Sequence, residues 1–325
     1  MASSPALPLR SLGRTGILVS PIGLGTMEFS GGGGLAGVAF PRIPQSAKNE
    51  IVQAALAGGI NWFDTAEAYG GGESERSLAA ALRAAGKTDG EVVIATKWLP
   101  VLRTARNLQH SIQDRLRFLG GYSIGLYMVH QPYGLSSPEA EMSAMADLVE
   151  AGTIRSVGVS NFGPERMRRA HKALQDRGLP LAVNQVHYSL LRREIETNGI
   201  LETARTLGVT IIAYTPLESG LLTGKYHRNP DLLHKTPFFR RSMIQRRLEA
   251  TRPLVNLLEE IGRRHEATPS QVALNWLIHF EGDLVVAIPG ATKVEQARDN
   301  AGAMRFRLTD EEMDSLDRAS RALRP

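Results

Sequence analysis

Eight short apolar runs, each followed by an amphipathic stretch, recur along nearly the whole chain. This alternation constrains the fold more than any other feature. The runs occupy residues 22–24, 60–63, 92–96, 124–130, 154–160, 182–186, 209–214 and 284–289, with helical patterns at 46–57, 74–84, 104–118 and 164–175 among those between. Continuous apolar strands separated by helices imply a parallel sheet covered on its outer face. About eight such units is the number that closes a (β/α)8 barrel. A doubly wound open sheet is the alternative, but it gives no reason to stop near eight repeats. The expectation is therefore one α/β domain, a (β/α)8 TIM barrel spanning residues 1–325. Residues 9–12 and 17–20 flank Gly13-Arg14-Thr15-Gly16, which predicts an N-terminal β-hairpin capping the barrel floor. Two segments, 30–45 and 222–244, break the rhythm before a long helix around 246–265. Both are expected as long loops on the C-terminal face, hence candidate lids or pocket walls.

Composition narrows the function classes. A chain of 325 residues, 42% hydrophobic and 22% charged, is an ordinary globular protein able to bury about three quarters of its unfolded surface. No apolar run approaches the ~20 residues of a membrane span, and no secretory apolar segment is visible at the start. With no cysteine, disulfides, thiolate metal ligands and Cys catalysis are excluded. A reducing compartment is compatible with this, and a cytoplasmic protein is expected. The net charge of +5 invites a nucleic-acid reading. The basic clusters (Arg166, Arg168, Arg169; Arg240, Arg241, Arg246, Arg247) are short and lack interleaved aromatics, so no nucleic-acid partner is expected. Oligomeric state is not readable.

One motif is a decoy. Gly32, Gly34 and Gly37 match G-x-G-x-x-G, but a dinucleotide fingerprint must leave a strand and open a helix directly. Here Phe40-Pro41-Arg42-Ile43-Pro44 follows instead.

The chemistry is expected at the C-terminal strand ends, where active sites of such barrels lie. Asp64 follows the second run, with Tyr69 in the next loop; Lys97 follows the third, and His130 ends the fourth. Singly, an Asp there is more often a helix cap and a His more often a core residue. Jointly they form a proton-donating constellation. A free phenol is too weak an acid near neutrality. A neighbouring ammonium is expected to lower its pKa, with Asp64 holding that ammonium in place.

The stretch Asn61-Trp62-Phe63-Asp64-Thr65-Ala66-Glu67-Ala68-Tyr69-Gly70, followed by Ser74-Glu75, resembles the signature of the aldo-keto reductase superfamily. The likeness continues through Ala95-Thr96-Lys97, Met128-Val129-His130, the run Gly152 to Phe162, Asn184-Gln185-Val186, Ala213-Tyr214-Thr215-Pro216-Leu217 and Ile288-Pro289-Gly290-Ala291. It covers roughly residues 9–316 in collinear order. Gly220-Leu221-Leu222-Thr223-Gly224-Lys225-Tyr226 is more similar to the bacterial and potassium-channel-β-like branch than to the aldose-reductase branch.

The resemblance implies an NADPH-dependent carbonyl reductase, with NADH less favoured. By position, Asp64, Tyr69, Lys97 and His130 match the family tetrad: Tyr69 as proton donor, Lys97 and Asp64 tuning it, neutral His130 orienting the carbonyl. Ser160, Asn161 and Gln185 match the trio that holds the nicotinamide carboxamide, and Tyr214 the aromatic stacked on that ring. Thr26, Met27 and Asp64 are further expected cofactor contacts. Leu217, Ser219, Gly220 and Lys225 would meet the diphosphate, with Thr215 a further cofactor contact. Gly290, Thr292 and Lys293, at a helix start with free amides, would take the 2′-phosphate, and Gln296 and Asn300 match adenine-contacting positions. Many members carry Arg where this chain has Gln296, so one phosphate clamp is missing. Substrate contacts would come from Tyr69, Trp98 and His130, with Met27, Gln131, Tyr133, Tyr188 and Leu217 as further walls. That largely apolar set favours an uncharged aldehyde or ketone. Two other classes remain: a regulatory NADP-binding protein of the channel-β type, and a barrel lyase or aldolase using Lys97 as a Schiff-base amine.

Overall fold

The computed structural model describes residues 9–31, 42–236 and 238–323. The Gly32, Gly34 and Gly37 motif and most of the segment 30–45 lie outside the described residues. Eight parallel strands form one sheet in sequence order: β3 (Leu24–Gly25), β4 (Trp62–Asp64), β5 (Val93–Trp98), β6 (Leu126–Val129), β7 (Val157–Ser160), β8 (Leu181–His187), β9 (Thr210–Tyr214) and β10 (Val285–Ala287). Parallel bridges Ile22↔Ala287 and Gly25↔Gly290 join the first strand to the last, which closes the (β/α)8 barrel. The first and last strands are shorter than the apolar runs that predicted them.

The expected hairpin is present as β1 (Arg10–Ser11) and β2 (Leu18–Val19), antiparallel. It plugs the floor. Leu12, Ile17 and Val19 pack with the inward-facing Trp62, Val93, Ala95, Leu126, Met128 and Ile212 in one barrel-interior cluster. Gly23 has a packing reason: a Cβ there would stand 2.3 Å from the Trp62 ring.

Helices cover the outside: α1 (Gln45–Ala57), α2 (Glu73–Ala84), α3 (Leu108–Leu119), α4 (Pro138–Glu150), α5 (Pro164–Gln175) and α6 (Ile200–Leu207), then α7 (Lys225–Arg228), α8 (Phe238–Arg264), α9 (Pro269–His279), α10 (Val294–Gly302) and α11 (Asp310–Arg321). The last is started by Thr309, whose hydroxyl accepts from Glu312 N while the Glu312 side chain accepts from Thr309 N. Such a cap contributes about 1 kcal/mol.

The segment 222–244 departs from expectation. It is no irregular loop: it holds α7, a 3-10 turn at Pro230–Lys235 and the start of α8. Leu221, Tyr226, Leu233, Ile244 and Leu248 bury one another in a small separate core. Apolar residues too widely spaced to show a helical period still sufficed to fold it. Among the described residues, no helix is long and apolar enough to cross a membrane.

Candidate active site

Strand parity decides which side chains reach the barrel mouth, because successive residues face opposite sides of the sheet. On β5, Val93 and Ala95 face the interior, so Lys97 does too, while Ile94 and Trp98 join the helix-facing core. The same alternation turns Asp64 inward on β4. The two meet: Lys97 Nζ pairs with Asp64 Oδ1 and donates to Thr65 O at 2.9 Å, both side chains almost wholly buried. Burial drives Asp64 up and Lys97 down, each toward its neutral form, and their mutual attraction opposes both. The pair therefore titrates as a unit.

Tyr69 and His130 complete the group. Lys97 Nζ lies 5.1 Å from the Tyr69 ring centroid, and the Tyr69 and His130 rings meet edge-to-face at 5.8 Å. Burial and the nearby Lys97 charge push His130 down to about 3, so it is neutral. Its Nδ1 is buried without a hydrogen-bond partner. The expectation for Tyr69 is corrected. Its pKa is raised well above the usual phenol value, by burial first and then by Asp64, Glu28 and Tyr214. The Lys97 charge is compensated by Asp64, so desolvation wins.

A hydrogen-bonded chain runs on from Asp64. Gln185 Nε2 donates to Asp64 Oδ2 at 2.8 Å, and Ser160 Oγ donates to Gln185 O at 3.0 Å. Asn161 Nδ2 donates to Ser160 Oγ and, at 3.4 Å, to Gln131 Oε1, while Tyr214 OH donates to Asn161 Oδ1 at 3.1 Å. Thr26 is buried, its hydroxyl donating to Asp64 O. Met27 opens the adjoining 3-10 turn Met27–Ser30.

Beyond β9 the backbone is unusual. Thr215 (φ 52°), Glu218 (φ 49°), Ser219 (φ 55°) and Gly220 (φ 90°) are left-handed. For the non-glycines this costs of order 1–3 kcal/mol each. Leu217 precedes the run at φ −106°, and the turn is closed by its own backbone: Glu218 N donates to Thr215 O at 3.1 Å and Gly220 N to Leu217 O at 2.9 Å. A Cβ on Gly220 would stand 2.8 Å from Lys225 Nζ, so a lysine crosses directly over this turn.

At the other end the amides are not free, contrary to expectation. Gln296 Oε1 accepts from Thr292 N (2.7 Å), Thr292 Oγ1 (3.0 Å) and Lys293 N (3.2 Å), capping the start of α10 itself. Asn300 is buried and donates to Gly290 O at 3.2 Å.

Two expected walls are turned away. Trp98 faces the helix layer, fully buried, with its indole N–H on Asn107 Oδ1 at 3.0 Å; parity beside Lys97 requires this. Tyr188, next to inward-facing His187, is likewise buried, donating to Glu196 Oε1. Tyr133 is 73% exposed, with Leu102 (83%) and Leu135 (66%) also exposed on the loops after β5 and β6. These loops are pinned together by the Val101↔Gly134 bridge. A cleft of about 600 Å³ lies outside the barrel between α1 and α10, but none of the candidate catalytic side chains lines it.

Known proteins match this chain in sequence and in fold. The model of the aldo/keto reductase family matches residues 21–321. The chain belongs to the aldo-keto reductase family. It is 39% identical over 310 residues to the uncharacterized oxidoreductase Rv2298 of Mycobacterium tuberculosis, covering 94% of this chain and 91% of that one. It is 34% identical to the chloroplastic pyridoxal reductase of Arabidopsis thaliana, covering 93% and 84%. Among solved structures, the thermostable aldo-keto reductase Tm1743, crystallised with the inhibitor epalrestat, superposes with a TM-score of 0.76 at 31% identity, covering 96% and 99%. The protein is thus an oxidoreductase of a family whose members use nicotinamide cofactors.

Sequence reasoning missed His187, Glu218 and Arg247. Glu218 Oε1 accepts from Ser189 Oγ (2.9 Å) and pairs with His187 Nε2 (2.6 Å), and Oε2 accepts from Arg247 Nη1 (2.7 Å). No local pattern joins residues 29 and 31 positions apart, so no sequence signal could have found them.

Proposed function

We propose that this aldo-keto reductase reduces an uncharged aldehyde or ketone to the alcohol, using NADPH in preference to NADH. The observation that carries the reading is the cluster at the barrel mouth: a buried Asp64–Lys97 pair, Tyr69 beside it, and a neutral His130 with an unpartnered Nδ1. A buried ring nitrogen without a partner costs free energy unless a ligand group supplies one. Lys225, whose side chain crosses the left-handed turn at 218–220, likewise supplies a cation suited to a diphosphate. These features fit a dinucleotide held by Ser160, Asn161 and Gln185 at one end and by this turn in its middle. Lys293 and the Thr292 hydroxyl would meet a 2′-phosphate once Gln296 releases them.

When bound, the reduced nicotinamide supplies the hydride that the carbonyl carbon accepts. The chain's own task is the proton. Tyr69 stays protonated across the working range, and donating its phenolic proton to a developing alkoxide remains favourable because an alkoxide is the stronger base. Lys97, its Nζ 5.1 Å from the Tyr69 ring centroid, is the cation that would offset the phenolate left behind, to the extent that Asp64 leaves its charge uncompensated. His130, neutral, orients the carbonyl oxygen and adds no charge of its own. The apolar rim of Val101, Leu102, Tyr133 and Leu135 supports a carbonyl carried on an apolar or aromatic body.

Fluorescence titration with NADPH and NADH, followed by turnover with an aromatic aldehyde and with pyridoxal, tests the proposal. Tight NADPH binding with turnover is expected. Binding without turnover on any carbonyl would favour the regulatory alternative.

A further inference from the structure

Glu218 stands where an acidic side chain is least expected, on the backbone turn read above as the diphosphate cradle. It is buried, and three groups on three separate elements meet around it. His187 comes from the end of β8 and Ser189 from the turn after it. Arg247 comes from α8 and also donates to Leu191 O at 3.3 Å. These donors satisfy the carboxylate on both oxygens, and they hold it well below the usual range, at about 2. A fully compensated carboxylate does not repel an anion as a bare one would.

Its position joins two ends of the site. Through its backbone it is the first left-handed residue of the 218–220 turn. Through its side chain it fixes His187, whose ring stacks on Tyr214 at 5.2 Å and 24°. Tyr214 in turn bonds Asn161, and the chain continues through Ser160 and Gln185 to Asp64. Arg247 lies on α8 between Ile244 and Leu248, two members of the small core that folds the segment after the turn. A strained turn persists only when its surroundings over-determine it. Here the turn's own bonds, from Glu218 N to Thr215 O, Gly220 N to Leu217 O and Thr223 Oγ1 to Gly220 O, are joined by one carboxylate and the helix that reaches it.

We propose that Glu218, held between His187 and Arg247, is a positioning residue for the cofactor. It sets the left-handed turn and the Tyr214 ring in register, so that cofactor affinity depends on the docking of α8. This rests on the nicotinamide-dinucleotide reading above.

The test uses Glu218→Gln, Arg247→Met, their double variant, and Arg247→Lys as rescue, with NADPH affinity read by fluorescence well below each variant's melting temperature. Both single variants are expected to bind NADPH about tenfold more weakly, with KM for NADPH rising more than kcat falls. Arg247→Lys should recover most of the affinity. The double variant should be no worse than the worse single one, because the two residues act as one unit. Should Glu218→Gln not fold, the half-exposed Arg247 still carries the test through Arg247→Met and Arg247→Lys. If the folded variants bind NADPH within twofold of wild type and only the melting temperature moves, the pair is structural and the inference is overturned. Failure of the wild-type protein to bind NADPH would instead overturn the proposed function, and this inference with it.

Discussion

Glu141→Gln should stabilise the protein at pH 8 and hardly change it at pH 5. Glu141 sits on α4, fully buried, and neither carboxylate oxygen has a hydrogen-bond partner. It lies against the loop that follows His130: a Cβ on Gly134 would stand 2.4 Å from its Oε1. Burial pushes its pKa from 4.5 to about 7, and attraction to Arg166 offsets only part of that. The folded state therefore binds more protons than the unfolded state between these values. Stability falls as pH rises through this window, and the loss is complete above the folded pKa. At about 1.4 kcal/mol per pH unit, the full penalty is about 3 kcal/mol. At pH 5 less than about 1 kcal/mol of it has developed. Glutamine keeps the shape and removes the ionisation. Urea melts of both proteins at pH 5 and pH 8 should show the variant gaining about 2–3 kcal/mol between the two conditions relative to wild type. An equal difference at both pH values would mean that Glu141 finds a partner when ionised and that its burial cost has been misjudged.

Three further outcomes are expected. Lys97→Met should abolish turnover and cost about 3–5 kcal/mol, because Asp64 is left buried without its cation; a stable, fully active variant would contradict the pairing. Lys293→Ala should weaken NADPH binding roughly tenfold or more, the worth of one charge-assisted bond, while NADH binding hardly changes; equal weakening of both would remove Lys293 from the phosphate site. His130, held down at about 3, should contribute no limb to kcat/KM between pH 5 and 8. A limb near 6.5 that disappears in His130→Gln would show that the ring is solvated in the working enzyme.

Much of this site was legible because a barrel reduces a three-dimensional problem to strand ends. Asp64, Lys97, Gln185 and Tyr214 each end or nearly end an apolar run, and all come to one mouth. Strand parity settles two more positions. Trp98 follows inward-facing Lys97 and Tyr188 follows inward-facing His187, so both had to face the helices. The segment 222–244 was misread because its apolar residues pack across α7, a 3-10 turn and α8 and show no single period. Gln296 illustrates another limit. A side chain suited to a ligand can satisfy the same amides itself, and only coordinates distinguish the two. The raised pKa of Tyr69 has a different origin: the Asp64–Lys97 pair was expected, but the burial that outweighs it depends on packing no local sequence pattern records.

In the proposed mechanism Tyr69 gives the proton to the carbonyl oxygen. Tyr69→Phe removes one oxygen from a half-buried ring and leaves the Asp64–Lys97 pair and the Gln185 chain in place. Turnover of NADPH with an aromatic aldehyde, measured beside NADPH affinity in the same preparation, tests the claim directly. Affinity within about twofold of wild type and a rate lower by 10²–10⁴, the usual worth of general acid catalysis, is the predicted result. Wild-type kcat in the variant would contradict it, and the proton would have to come from another group.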